Sequence, residues 1–418
     1  MKAIFIALLF TSGLVACSSG TGTGGGSGGG SGGGTAGGAG GGTAGGSGGG
    51  SGGGTASFTC TTATLFAGNP LHMNPMMRPA DGTGLLEDPP FAYRTIVFSS
   101  GQMITHNGQE IWRANLTDKK LRKIAGTESQ QQSLITGPCA NARFANIFSI
   151  GLASDGSLFV SDQTANTILK VTDPLGAGCT VSHYAGTPMD IAAGGLNPNM
   201  IPNVGNVNGP GAMAKFSLPE RMALDGSDNI YVWDQGNDSI RKIANDATHT
   251  VSTVAMAIGS GGGSLLSEVF LDGKLYVWGK ASNDLFLTAV DPATGMKTDL
   301  IRGRADKFGG SSSDSQILGG IVTDGTALIV FFNGQFFRIS KTGVVSAPLA
   351  GTYRPGTNYM GTYDPKVSHT AAQLQIADSV AAAAVAGAYS FLAIDSAHDL
   401  YFSGYKTNNY VINIACGP

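Results

Sequence analysis

The chain has 418 residues, with 25 Lys and Arg against 28 Asp and Glu, a formal net charge of −3, and 65 Gly. So even a charge balance gives no electrostatic reason to invoke nucleic acid or an anionic lipid surface as partner. The six His are scattered. No HExxH pair and no G-x-S-x-G elbow occurs, so the motifs supply no catalytic residue, metal site or cofactor.

Lys2 and the apolar run Ala3 to Phe10 predict a signal-peptide start, too short to cross a bilayer as a helix. Leu14-Val15-Ala16-Cys17 follows and resembles a bacterial lipobox. The resemblance implies cleavage after residue 16 and lipidation of Cys17. Ser18, where an Asp would signal retention, implies by likeness to Gram-negative lipoproteins an outer-membrane location. Residues 17–57 are almost wholly Gly, Ser, Thr and Ala after the Cys, a composition that buries no core and predicts a flexible tether. Its root-mean-square span is roughly 35 Å.

Residues 58–418 form the predicted head. An apolar strand, a turn usually holding Asp and Gly, and a second apolar strand recur six times. The copies are Ile96 to Ile104, Leu152 to Val160, Met222 to Val232, Val269 to Val277, Ile321 to Val330 and Leu392 to Phe402. Outer strands ending in Ala-Gly or a similar pair close four of them: Leu121 to Gly126, Val181 to Gly186, Val251 to Met256 and Val345 to Gly351. A further copy, Thr62 to Gly68, lies before the first repeat, and the last repeat has only three strands. The fold class is therefore all-β, a six-bladed propeller whose last blade is closed by the N-terminal strand, which leaves only short protected edges. That closure sets Cys60 beside Cys416. Cys139 and Cys179 pair by elimination, although they fall toward opposite ends of one blade, and free buried thiols are the alternative.

The third copy, Gly209 to Ile243, is the most explicit. Arg221 to Leu224, Ile230 to Trp233, Ile240 to Ile243 and Val251 to Val254 read as four strands. Asp225-Gly226 reads as a hairpin in which Gly supplies positive φ. The run Gly209, Ala214, Phe216, Pro219, Asp225, Asn229, Ile230, Tyr231, Val232, Asp234, Asn237, Ile240, Arg241, Lys242 resembles the NHL repeat, with Asn208 and Trp233 as departures. The resemblance implies an NHL-like propeller and speaks to fold rather than activity.

Asp162, Asn166, Asp234 and Asn237 are read as capping their own turns, and Arg241, Lys242, Lys170 and Arg113 as solvated or packed along their stems. The residue before the turn into the third strand is His106, Ser161, Trp233, Trp278, Phe331 and Ser403 in the six copies. Trp233, Trp278 and Phe331 thus sit in consecutive blades. They either pack between blades or line a binding patch. The expected function is a non-catalytic, membrane-anchored head that binds a protein or glycan ligand, with membrane contact through the lipid anchor alone. The alternative is an enzyme: similar propellers include calcium- or zinc-dependent lyases and lactonases with the metal over the channel. That would need carboxylates converging from inner strands, for which Glu220, Asp225, Glu268, Asp272 and Asp324 are the nearest, several of them better read as turn residues.

Overall fold

A computed structural model describes residues 58–68, 84, 95–127, 133–187, 203–258, 264–281, 284–303, 318–332, 335–351, 369–370, 391–403 and 410–417. Cys17, the signal peptide and the tether lie outside the described residues. The described strands form six antiparallel sheets, four of four strands and two of five. Their Val, Ile, Leu, Phe and Tyr content is what a pleated, half-buried surface selects. No α-helix occurs among the described residues, only two single 3₁₀ turns, Gly211–Met213 and Gln235–Asn237.

Blade 1 comprises Ile96–Ser99, Gln102–His106, Glu110–Asn115 and Leu121–Gly126. Blade 2 comprises Ile147–Leu152, Leu158–Asp162, Thr167–Thr172 and Thr180–Ala185. Blade 3 is Pro219–Leu224, Ile230–Asp234, Ser239–Ile243 and Val251–Met256. Blade 4 is Ser264–Leu271, Lys274–Ala281, Asp284–Val290 and Lys297–Gly303, the last an outer strand without the Ala-Gly ending of its counterparts. Blade 5 is Leu318–Thr323, Leu328–Phe332, Gln335–Ile339 and Val345–Ala350.

Blade 6 is the composite one. Phe391–Ile394, Leu400–Ser403 and Tyr410–Gly417 supply three strands, and Thr59–Gly68 pairs antiparallel with Tyr410–Gly417 as the fourth. The two ends of the ring thus share one sheet, and Cys60, opposite Cys416 in the register, is bonded to it. The second disulfide joins Cys139 to Cys179. These two were expected at opposite ends of a blade. They meet because Gly137–Pro138 folds back as a fifth strand against Thr180 and Val181, and the Cys139 N–H donates to the Cys179 carbonyl at 3.0 Å.

The first strands of the six blades touch in turn around the ring, 1 to 2 to 3 to 4 to 5 to 6 and back to 1, and so line its centre. Pro219 opens the first strand of blade 3 opposite Asp234, which ends the second. The start of a first strand therefore shares one face of the ring with the turn between second and third strands. We call it the entry face. The hydrophobic cores lie between blades: Ile104 and Ile111 pack with Ile147 and Val160, and Trp278 with Ile321 and Phe332.

Two local expectations are corrected. Gly226 does not carry the positive φ of its hairpin; Asp228 does, at φ 58°, because the turn is one of longer span. Asp225 organises it instead, accepting from the N–H groups of Ser227 at 2.9 Å and Asn229 at 3.0 Å. Blade 4 has the short form, with Asp272 at φ 48° and Gly273 at φ 77°. Arg241, read as solvated or packed along its stem, is wholly buried, guanidinium included. Its guanidinium pairs with Asp234 at 2.8 Å and donates to the Val207 carbonyl at 2.9 Å and the Asn208 side-chain oxygen at 2.7 Å. A buried charge persists only when so satisfied.

Candidate functional site

The polar residues that looked most like ligands are staples. Asp162 accepts from the N–H groups of Ala145 at 2.7 Å, Asn146 at 3.0 Å and Ala165 at 3.1 Å, tying the entry of its first strand to its own turn. Asn166 accepts from the Leu218 N–H at 2.8 Å, linking blades 2 and 3. Asn237 donates to Asp234 at 2.7 Å and to the Gly205 carbonyl at 2.9 Å.

Trp233, Trp278 and Phe331 are 3 %, 0 % and 0 % exposed. Each wedges into the interface with the next blade: Trp233 beside Leu265 and Phe286, Trp278 beside Ile321 and Phe332, Phe331 beside Phe402 and Ile412. They occupy three separate cores and form no common patch. Of the two readings open for them, the geometry is that of packing, because a large ring fills the widening gap between blades.

The five carboxylates near the first strands divide. Asp225, Asp272 and Asp324 sit in turns between first and second strands, away from the entry face. Asp225 is held as described, Asp272 pairs with Lys341 at 2.5 Å, and Asp324 with Arg338 at 2.7 Å. Glu220 and Glu268 lie on the adjacent first strands of blades 3 and 4, near enough for the charge of one to act on the other.

Glu268 stands out by register. The residues pairing at its level are Ile96 with Thr105, Ile150 with Val160, Met222 with Val232, Glu268 with Val277, Ile321 with Val330 and Leu392 with Phe402. Five blades place an apolar side chain there, and blade 4 places a carboxyl. It is buried, and neither of its oxygens has a hydrogen-bond partner among the described residues. Burial pushes this carboxyl up to about 8; the Arg221 guanidinium opposes that rise and the Glu220 charge adds to it. An unmade hydrogen bond at such depth costs about 1–3 kcal/mol, which packing alone would have removed by keeping the apolar residue.

The rest of the cluster comes from blades 2 and 3. Glu220 accepts from the Gln163 amide at 2.9 Å, and Gln163 in turn accepts from Asn146 at 3.0 Å. Burial raises the Glu220 carboxyl above its ordinary range, against the pull of Arg221 and Gln163. The Ser161 hydroxyl donates to the Glu220 carbonyl. The Arg221 guanidinium lies 5.5 Å over the Phe148 ring. At the mouth, Leu218 is 41 % exposed and holds φ at 55°. A bulky residue in that region is strained, and more so directly before a proline. The cluster can therefore offer two carboxyls, an amide and a guanidinium at the entry side of the ring's centre. Among the described residues no three His, Cys, Asp or Glu side chains stand close enough to hold a metal ion.

No protein-family model matches the chain. No curated protein matches it in sequence. Among solved structures it is similar to a protein of unknown function from Bacteroides thetaiotaomicron, at 10 % identity and TM-score 0.53, covering 86 % of this chain and 76 % of that one. It is also similar to an auxiliary nutrient binding protein from the same organism, at 9 % identity and TM-score 0.52, covering 86 % and 77 %. At such identities the likeness is one of fold: the chain is a six-bladed β-propeller closed by its N-terminal strand.

Proposed function

We propose that the protein is a non-catalytic binding head of the bacterial cell envelope, an NHL-type propeller carried on a lipidated tether, with a protein or glycan as ligand. The observation that carries this reading is Glu268, the single carboxyl at a level that is apolar in the other five blades, buried and without a hydrogen-bond partner among the described residues. A polar group placed at a cost to stability in the wall of a central channel is the mark of a binding site. The NHL assignment is supported by the residues of that pattern in blade 3, since Asp234, Asn237 and Arg241 form one hydrogen-bonded network with Asn208. The anchor rests on the Leu14 to Cys17 motif, and the outer-membrane location on Ser18.

Screening the full-length protein against a panel of envelope glycans and purified envelope proteins tests the proposal. The expected result is saturable binding with the ligand recovered unchanged. Conversion of a panel member into a new product would favour the lyase or lactonase reading instead.

A further inference from the structure

The environment of Glu268 specifies the kind of group that would satisfy it. Its two oxygens need donors, and a second carboxyl, Glu220, acts on it from the adjacent strand. Among the described residues Glu220 has one donor on its carboxylate, Gln163. Among the described residues the other charged group acting on Glu268 is Arg221, whose guanidinium is stationed over Phe148. Two carboxyls against one guanidinium leave one negative charge to be matched when both carboxyls ionise. An alkylammonium group brings three N–H donors, no acceptor and one positive charge. A hydroxyl would supply donors without the charge, and an anion would meet both carboxyls unfavourably. Leu218 is exposed at the mouth, where its apolar surface can cover the carbon skeleton that carries such a group.

Resting on the binding-head reading above, we propose that the entry side of the channel at blades 3 and 4 is a site for a ligand bearing a primary ammonium group, which seats between Glu268 and Glu220. The neutral Glu268 carboxyl gives up its proton to solvent as the ammonium arrives, and the carboxylate so formed accepts the ammonium N–H. Ligand cation and lost proton balance, so the site's net charge changes by nothing beyond that exchange. Affinity then rises with pH up to the point where Glu268 is already ionised in the free protein.

The test uses the full-length protein and two probes that share the ammonium group: a glucosamine trisaccharide and trilysine, each beside its N-acetylated form. Calorimetric titration at pH 7 in two buffers of different ionisation heat reads affinity and proton release together. The account predicts that at least one free-amine probe binds, that its acetylated form does not, and that about one proton is released per ligand. Glu268→Gln and Glu268→Leu should each weaken binding about tenfold or more, the size of one lost charge-assisted hydrogen bond. Glu268→Leu restores the residue type of the other blades, so the comparison does not depend on a variant that fails to fold. Binding of the sugar alone identifies a glycan source, and of the peptide alone a protein source. Failure of both amines to bind, equal binding of free and acetylated forms, or affinities unmoved by either variant overturns the site. If an uncharged glycan or a protein from the wider panel still binds, and the Glu268 variants leave that binding unchanged, the binding-head reading survives and only this site falls.

Discussion

At the scale of single residues, the cost of Glu268 has a sign that can be checked. Its ordinary value is 4.5 and burial lifts it to about 8 in the folded protein. Between those values the folded state holds a proton that the unfolded state has lost, so stability falls as pH rises across that window. The full displacement corresponds to on the order of 5 kcal/mol. Chemical denaturation at about pH 5 and about pH 8 should show the wild type losing stability toward the higher value, and Glu268→Leu losing much less. An equal loss in both would mean that Glu268 is solvated. The aromatic wedges make a second residue-scale prediction. Trp112, Trp233 and Trp278 are all buried, so tryptophan emission should lie at short wavelength and resist iodide. Trp278→Ala should cost about 3–5 kcal/mol of folding stability, the range for truncating a core aromatic. Strong quenching in the intact protein would contradict the packing.

Secondary-structure elements were the most legible part of the sequence. Six apolar, turn, apolar copies are six pairs of first and second strands, because alternating β-branched and aromatic residues around Asp-Gly turns have few other stable uses. Closure by Thr59–Gly68 was legible for a related reason: one outer strand stood surplus at the start and one was lacking at the end. The outer strand of blade 4 was not, since Lys297–Gly303 is mostly exposed and carries no Ala-Gly ending. Burial of the Arg241 guanidinium was not legible, because it depends on acceptors from Val207, Asn208 and Lys215, residues of a separate loop. Glu268 was noticed only as one of five carboxylates near first strands. Its equivalence to Met222 and Ile321 is hidden by turns of different length, and only the pairing register exposes it. The closing strand carries its own prediction. Deleting Thr59 to Gly68 should leave Tyr410–Gly417 as an unpaired edge and cause association on size exclusion, because an open strand edge recruits other chains. Replacing Cys60 and Cys416 with Ser keeps the strand but removes a link between residues 356 apart. It should lower stability by up to about 5 kcal/mol, the chain-entropy figure for so long a loop. A monomeric deletion variant with an unchanged melting temperature would contradict the closure.

At the scale of the whole molecule, the proposal joins an anchor, a tether and a ring. Cys17→Ala should release the protein from the membrane fraction, since the acyl chains are its one proposed attachment to the bilayer. Retention of that variant on salt-washed membranes would remove the lipid anchor from the account. The ring is braced by interblade aromatics, by the Asp162 and Asp234 staples and by the Cys60–Cys416 bond. Such a scaffold holds its first strands rigidly, and rigid walls suit a site that must present a costly carboxyl in one position. The most direct test of the binding-head claim is incubation of the intact, membrane-attached protein with the envelope glycan and protein panel, followed by mass spectrometry of what is bound and what is free. The account predicts a ligand that is retained saturably and recovered with its mass unchanged. A panel member recovered with altered mass, and no other retained, would contradict it.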